Sequence, residues 1–210
     1  MDKGVSAIQN IRLLKWSREL GIQPIGNILW GFDGEDIQHY LDLSNIIALL
    51  THLTPPVYRT DAQSGLDISK VAYLFKEANR SPVDQLCQHK IIDSVQQWHK
   101  HHDTSDLLLI SNESGAAIID TRSIASVDRY ELNPIEFFVL RWSDDGATVQ
   151  TLEKYIYDGA DFSSEQLASS ISQLEKLGYL LKLGEKYISL PTPAVNIKAG
   201  AKRKLKQASA

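Results

Sequence analysis

NILWGFDGED, Asn27 to Asp36, lies between two amphipathic segments. Asn27 to Trp30 is a short apolar run bounded by Pro24 and Gly26 on one side and Gly31 on the other, which predicts a buried strand. Gly31 and Gly34 supply a turn. Glu35 and Asp36 then open a helix, where their carboxylates favour the positive end of its dipole. Helix, strand, glycine turn and helix, in that order, make one unit of a parallel α/β barrel or open sheet. The loop at the C-terminal end of such a strand faces the ligand.

On the N-terminal side, Val5 to Leu20 reads as a helix with a wide apolar face, stopped by Gly21. On the other side Ile37, Leu41, Ile46, Ile47, Leu49 and Leu50 carry a helix to about His52, ended by Thr54-Pro55-Pro56. Val57 to Asp67 is polar and reads as a linker. A single parallel strand has no ladder partner, and its unpaired amides and carbonyls are costly to bury. The N-terminal unit is therefore expected to be partly disordered, repacked or completed by another chain.

Ile68 to Ala78 and Val83 to His101 are the next predicted helices. They are separated at Asn79-Arg80-Ser81-Pro82, with Ser81 as N-cap and Pro82 at the first helical position. From Leu107 the period changes to that of strands. LLLISNESGAAIIDTRS predicts a hairpin around Asn112 to Gly115, and Ser123 to Leu132 supplies a third strand. Asn133-Pro134 opens a helix through Trp142, Thr148 to Tyr157 gives a second, and Ser163 or Ser164 caps a third that stops at Gly178. Tyr179 to Leu183 and Lys186 to Leu190 flank Gly184-Glu185 as a hairpin wing. From Pro191 the chain reads as a tail, made basic by Lys198, Lys202, Arg203, Lys204 and Lys206.

KGVSAIQNIRLLKWSRELGI, Lys3 to Ile22, followed by NILWGFDGED, resembles the late barrel region of a known family. These are the cobalamin-dependent radical SAM enzymes that modify ribosomally made peptides (RiPPs), of the C-methyltransferase type. The family's strand usually ends Gly-Phe-Pro-Gly-Glu, and here Asp33 stands in place of the proline. HLTPPVYRTDAQ begins like the family's next segment, but the barrel strand with an arginine-phenylalanine-serine-proline pattern that should follow is absent. LDISKVAYLF, QQWHK and AIIDTR also look like the family's C-terminal region. The likeness runs from Lys3 to Leu190 with a gap near Val57 to Gly65.

The resemblance implies S-adenosylmethionine, an iron–sulfur cluster and cobalamin for a complete enzyme. It also places Asn27, Trp30, Gly31, Phe32, Gly34 and Glu35 near the S-adenosylmethionine. A tight strand-to-helix connection would need the same glycines. Such a cluster is held by three closely spaced cysteine thiolates, CxxxCxxC. This chain has one cysteine, Cys87, on a predicted apolar helix face, so no cofactor is expected on the chain alone and no catalytic residue is assigned. A split subunit, a truncated gene and a remnant are the three origins that fit.

The strands, three helices and terminal hairpin of residues 104–192 make a winged-helix pattern, similar to the leader-peptide recognition elements of RiPP pathways. Such elements take up an extended peptide as an added strand beside the third helix. Val127, Arg129, Gln166, Ser170 and Gln173 are the candidate peptide contacts. A DNA-binding transcriptional regulator is the alternative. Its recognition helix would expose Glu165, Gln166, Ser169, Ser170, Gln173 and Glu175, and phosphate contact favours Lys and Arg, of which this helix carries only Lys176.

Composition is that of an ordinary globular chain: 210 residues, 43% hydrophobic and 23% charged. A formal net charge of -4 disfavours a general nucleic-acid binder. One cysteine excludes an internal disulfide and suits the cytoplasm, and no stretch approaches the roughly 18 apolar residues of a membrane span. His99, His101 and His102 cluster at a predicted helix end without the further ligand a metal site needs.

The fold class read from the chain is α/β (α+β). An incomplete radical SAM-type barrel segment (1–56) is followed by a helical linker region (57–103), a winged-helix-like domain (104–192) and a basic tail (193–210). The function read from it is an accessory or C-terminal part of a RiPP-maturation system. It would be catalytically silent alone and would bind a precursor peptide or a catalytic radical SAM partner.

Overall fold

A computed structural model describes residues 4–26, 36–57, 82–113, 115–157 and 162–194. The chain is mixed α/β. Among the described residues, α1 (Ala7–Leu20), α2 (Ile37–Leu49) and α3 (Pro82–His101) precede a hairpin of β1 (Leu107–Asn112) and β2 (Gly115–Asp120). β3 (Arg129–Leu132), α4 (Pro134–Trp142), α5 (Val149–Tyr157) and α6 (Ser164–Lys176) follow. The chain then runs through β4 (Leu180–Leu183), β5 (Lys186–Ser189) and the short β6 (Thr192–Pro193).

The main sheet has the order β3-β2-β1-β6, antiparallel except for the parallel β1–β6 pair. The expectation that the tail starts at Pro191 is thus corrected by two residues of strand. Leu108 and Leu109 of β1 face Thr192 and Pro193, so the two residues of β6 extend that side of the sheet. β4 and β5 form the second hairpin, and Ala147 and Tyr187 exchange both backbone hydrogen bonds, at 2.9 and 2.8 Å.

Helix boundaries follow the local chemistry. α1, α2, α4 and α6 each begin with a capping box, set by Ser6 with Gln9, Asp36 with His39, Asn133 with Glu136 and Ser163 with Gln166. The third strand is shorter than predicted, because residues before Asp128 leave the ladder and only Arg129 to Leu132 stay paired. Gly178 ends α6 at φ +69, and a Cβ there would stand 2.8 Å from the Leu49 side chain. Only glycine allows both the left-handed backbone and that approach of α2.

One core joins distant parts of the chain. Ile11, Ile47, Leu50 and Leu53 share it with Trp98, Leu107, Ile118, Leu152, Leu167 and Tyr187. The Trp98 indole N–H donates to the Leu53 carbonyl at 2.8 Å, which fixes α3 beneath the end of α2. Asn27 to Glu35, where the buried strand and glycine turn were expected, lie outside the described residues, as does the helix predicted at Ile68 to Ala78. The expectation that this strand lacks a ladder partner falls on those same residues. Ile25 bridges Val57 in parallel, with the Val57 amide donating to the Pro24 carbonyl at 3.0 Å.

Polar anchors hold α1 against the C-terminal half. Lys15, 2% exposed, donates to an Asp144 carboxylate and, at 2.7 Å, to the Ser189 carbonyl. Arg12 pairs with Asp145, and Arg18 with Asp106. No helix among the described residues is long and apolar enough to cross a membrane.

Candidate functional site

Ladder parity decides which backbone groups of β3 are free to bind. The Asp120 amide donates to the Asp128 carbonyl at 3.0 Å, so that pair is hydrogen-bonded. Antiparallel ladders alternate, and the register pairs Ile118 with Tyr130 and Ala116 with Leu132 in the same bonded class. Arg129 and Glu131 oppose Ile119 and Ala117 and belong to the other class. Their amides and carbonyls therefore point away from β2. Since β3 ends the strand order, these groups line a sheet edge with no strand partner among the described residues.

The side chains of β3 alternate across the sheet. Arg129 and Glu131 are exposed and pair with each other, Nε to Oε1 at 2.6 Å. Tyr130 and Leu132 turn inward. The Tyr130 hydroxyl donates to Glu136 Oε1 at 2.8 Å, and Glu136 Oε2 accepts the Asn133 amide at 2.9 Å. This buried carboxylate ties β3 to the first turn of α4. The Tyr130 side chain lies near Gln173 of α6, and its ring is 5.9 Å from that of Tyr179. Burial first, then the bond to Glu136, raises the Tyr130 pKa, so the hydroxyl stays a donor. Glu136 thus anchors β3 to α4 through both carboxylate oxygens.

The candidate peptide contacts distribute unevenly around this edge. Val127 is exposed in the approach to β3, and Arg129 lies on it. Gln173 is half-buried on α6 and lies near Tyr130. Gln166 is exposed, but its Oε1 accepts the Ser163 amide at 2.9 Å as part of the cap. Ser170 is a correction: it is 6% exposed. It falls on the stripe of Leu167, Ile171 and Leu174, three residues after the first and four before the last, and so faces the core. The positions expected near S-adenosylmethionine, Asn27, Trp30, Gly31, Phe32, Gly34 and Glu35, lie outside the described residues. So does the Cys87 side chain.

Two other polar groupings are bland by comparison. A groove of about 300 Å³ between α2 and α3 is lined by Thr51, Asp93, Gln97, His101 and Ser123, and His101 Nε2 is engaged with Gln97 Oε1 at 3.1 Å. His102 Nδ1 approaches the His99 carbonyl at 3.0 Å. Among the described residues, no three His, Cys, Asp or Glu side chains converge as a metal site would require.

Sequence reasoning missed the role of Glu136, whose only local signal is its place three residues after Asn133. It also missed the edge itself, because the pairing class of Arg129 and Glu131 exists only once the register is known. Comparisons with protein-family models, curated proteins and solved structures found no match to this chain.

Proposed function

We propose that this chain is a peptide-binding accessory part of a RiPP-maturation system of the radical SAM kind, and that it takes up a precursor leader peptide as an added strand on β3. The observation that carries this reading is the direction of the Arg129 and Glu131 backbone groups, away from β2 on the last strand of the sheet. Main-chain pairing supplies affinity to an extended peptide, and the flanking side chains of Val127, Arg129 and Gln173 select among sequences. α4, α5 and α6 with the β4–β5 hairpin form the winged-helix part. The Ala147–Tyr187 bridge stands where such a wing has its third strand. The barrel-like part would comprise α1 and α2, with the parallel bridge between Ile25 and Val57 on either side of α2. It gives the chain a place to meet a catalytic subunit, which would carry the cluster, cobalamin and S-adenosylmethionine.

DNA recognition is the weaker reading. α6 exposes Glu165, Gln166 and Ser169, with Lys176 as the cation in its last turn, a surface poor in phosphate-neutralising charge.

Panning a display library of linear peptides on the purified chain tests the proposal. Enriched extended sequences that lose binding to a Glu131→Pro variant are expected. Enriched peptides that bind this variant equally well, or the absence of any enrichment, would refute strand addition.

A further inference from the structure

α1 carries apolar residues on two faces: Ile8, Ile11 and Leu14 pack on the core, and a second set faces outward. Its cations Arg12, Lys15 and Arg18 face Asp145, Asp144 and Asp106 of the same chain, while Leu13, Trp16 and Leu20 are 55%, 48% and 70% exposed. With exposed Gln9, these residues are spaced four, three and four apart, the seam of a heptad pattern. The seam carries no charge. The Arg12 guanidinium lies 4.7 Å from the Trp16 ring centroid and holds the indole in place. Gly21 and Ile22 close α1 in a Schellman motif, with amides donating to Arg18 and Ser17 carbonyls. That motif characteristically brings its last residue, here the exposed Ile22, beside the final turns of the helix.

We infer that two copies of this chain associate through α1, its seam packed antiparallel on the partner's seam across a two-fold axis. The spacing is self-complementary. An axis between Leu13 and Trp16 sets Leu13 against the partner's Trp16 and Gln9 against the partner's Leu20. Wholly buried, the exposed surface of Leu13, Trp16, Leu20 and Ile22, on the order of 500 Å² per copy, would come to the ~1,000 Å² at the lower limit of a specific interface. An uncharged seam meets its own copy without repulsion. A lipid surface would call for cations flanking the apolar face, and here they are turned inward.

Sedimentation equilibrium of the full chain is expected to show a dimer. A Leu13→Glu, Leu20→Glu double variant is expected to be monomeric with unchanged circular dichroism, and Ile110→Glu, at an exposed apolar residue of β1, to remain dimeric. A second test avoids inserted charge. Leu13→Cys and Trp16→Cys chains, each in a Cys87→Ser background, are mixed, and the mixed disulfide is expected to form in preference to either self-pair. A wild-type monomer would overturn the inference and leave the seam to a segment of the same chain or to a different protein. A dimer untouched by the double variant, or no preference for the mixed disulfide, would overturn it equally.

Discussion

Arg122 grips Asp120 with both arms of its guanidinium, Nε to Oδ1 at 2.9 Å and Nη2 to Oδ2 at 2.7 Å, and both side chains are sealed from solvent. The same guanidinium donates to the Leu49 carbonyl at 2.8 Å and the Gly178 carbonyl at 3.1 Å. It therefore joins the end of β2 to the ends of α2 and α6. Planar bidentate geometry is what arginine supplies and lysine does not.

Arg122→Ala should cost about 3–5 kcal/mol, because it leaves the Asp120 carboxylate buried without a partner and two carbonyls without donors. Arg122→Lys keeps the charge but cannot serve both carboxylate oxygens and both carbonyls, so its loss should be smaller yet clear. Urea denaturation of the two variants against the parent measures both.

His52 gives a pH dependence. It is fully buried, its Nε2 lies 3.0 Å from the Leu190 carbonyl, and Nδ1 has no hydrogen-bond partner. Burial foremost, then the charge of Arg122, lowers its pKa well below the usual 6.5. The folded state thus holds the ring neutral, while the unfolded chain binds a proton below that value. Stability from this group is complete above the unfolded-state pKa. It falls as pH drops from there toward the folded-state value, by up to about 1.4 kcal/mol per pH unit. Urea midpoints across this range should shift for the parent and shift less for His52→Gln, which does not titrate.

Gly178→Ala combines a left-handed backbone with a Cβ placed 2.8 Å from Leu49 Cδ2. A loss of about 1–3 kcal/mol is expected, from the positive φ together with overpacking. Gly184, at φ +62 in the β4–β5 turn, has open space around it. Gly184→Ala should cost about 1 kcal/mol, the backbone share alone. Thermal unfolding of the pair separates the two contributions.

The β3 edge predicts opposite outcomes for neighbouring prolines. Glu131→Pro removes an amide that points away from β2 and should leave the sheet folded while weakening peptide capture at least tenfold. Tyr130→Pro removes an amide that bonds Ile118 and should destabilise the sheet itself by about 3 kcal/mol. Circular dichroism and peptide titration distinguish the two variants.

Much of the fold was legible because its signals are local. The turn from Asn112 to Gly115, Asn133 before Pro134, Ser163 before Gln166, and Gly184-Glu185 each name their own conformation. The orientation of α1 was not legible, because Lys15 is buried by Asp144 and Ser189, more than a hundred residues away. Ser170 was assigned to the wrong face because its burial depends on how α6 rests on the core rather than on its own polarity. Of the candidate site, Val127, Arg129 and Gln173 were readable as surface positions near the third strand and helix. The feature that makes the edge usable was not, since it is a property of pairing register. The pairing of Thr192 and Pro193 with β1, on the side of the sheet opposite β3, likewise comes from contact with a strand far away in sequence.

Residue-resolved amide hydrogen exchange of the chain with and without a bound linear peptide tests strand addition most directly. The Arg129 and Glu131 amides should exchange markedly more slowly when the peptide is present, and Tyr130, already bonded to β2, should change little. Protection confined to α6 or to the β4–β5 hairpin, with Arg129 and Glu131 unchanged, would contradict the account.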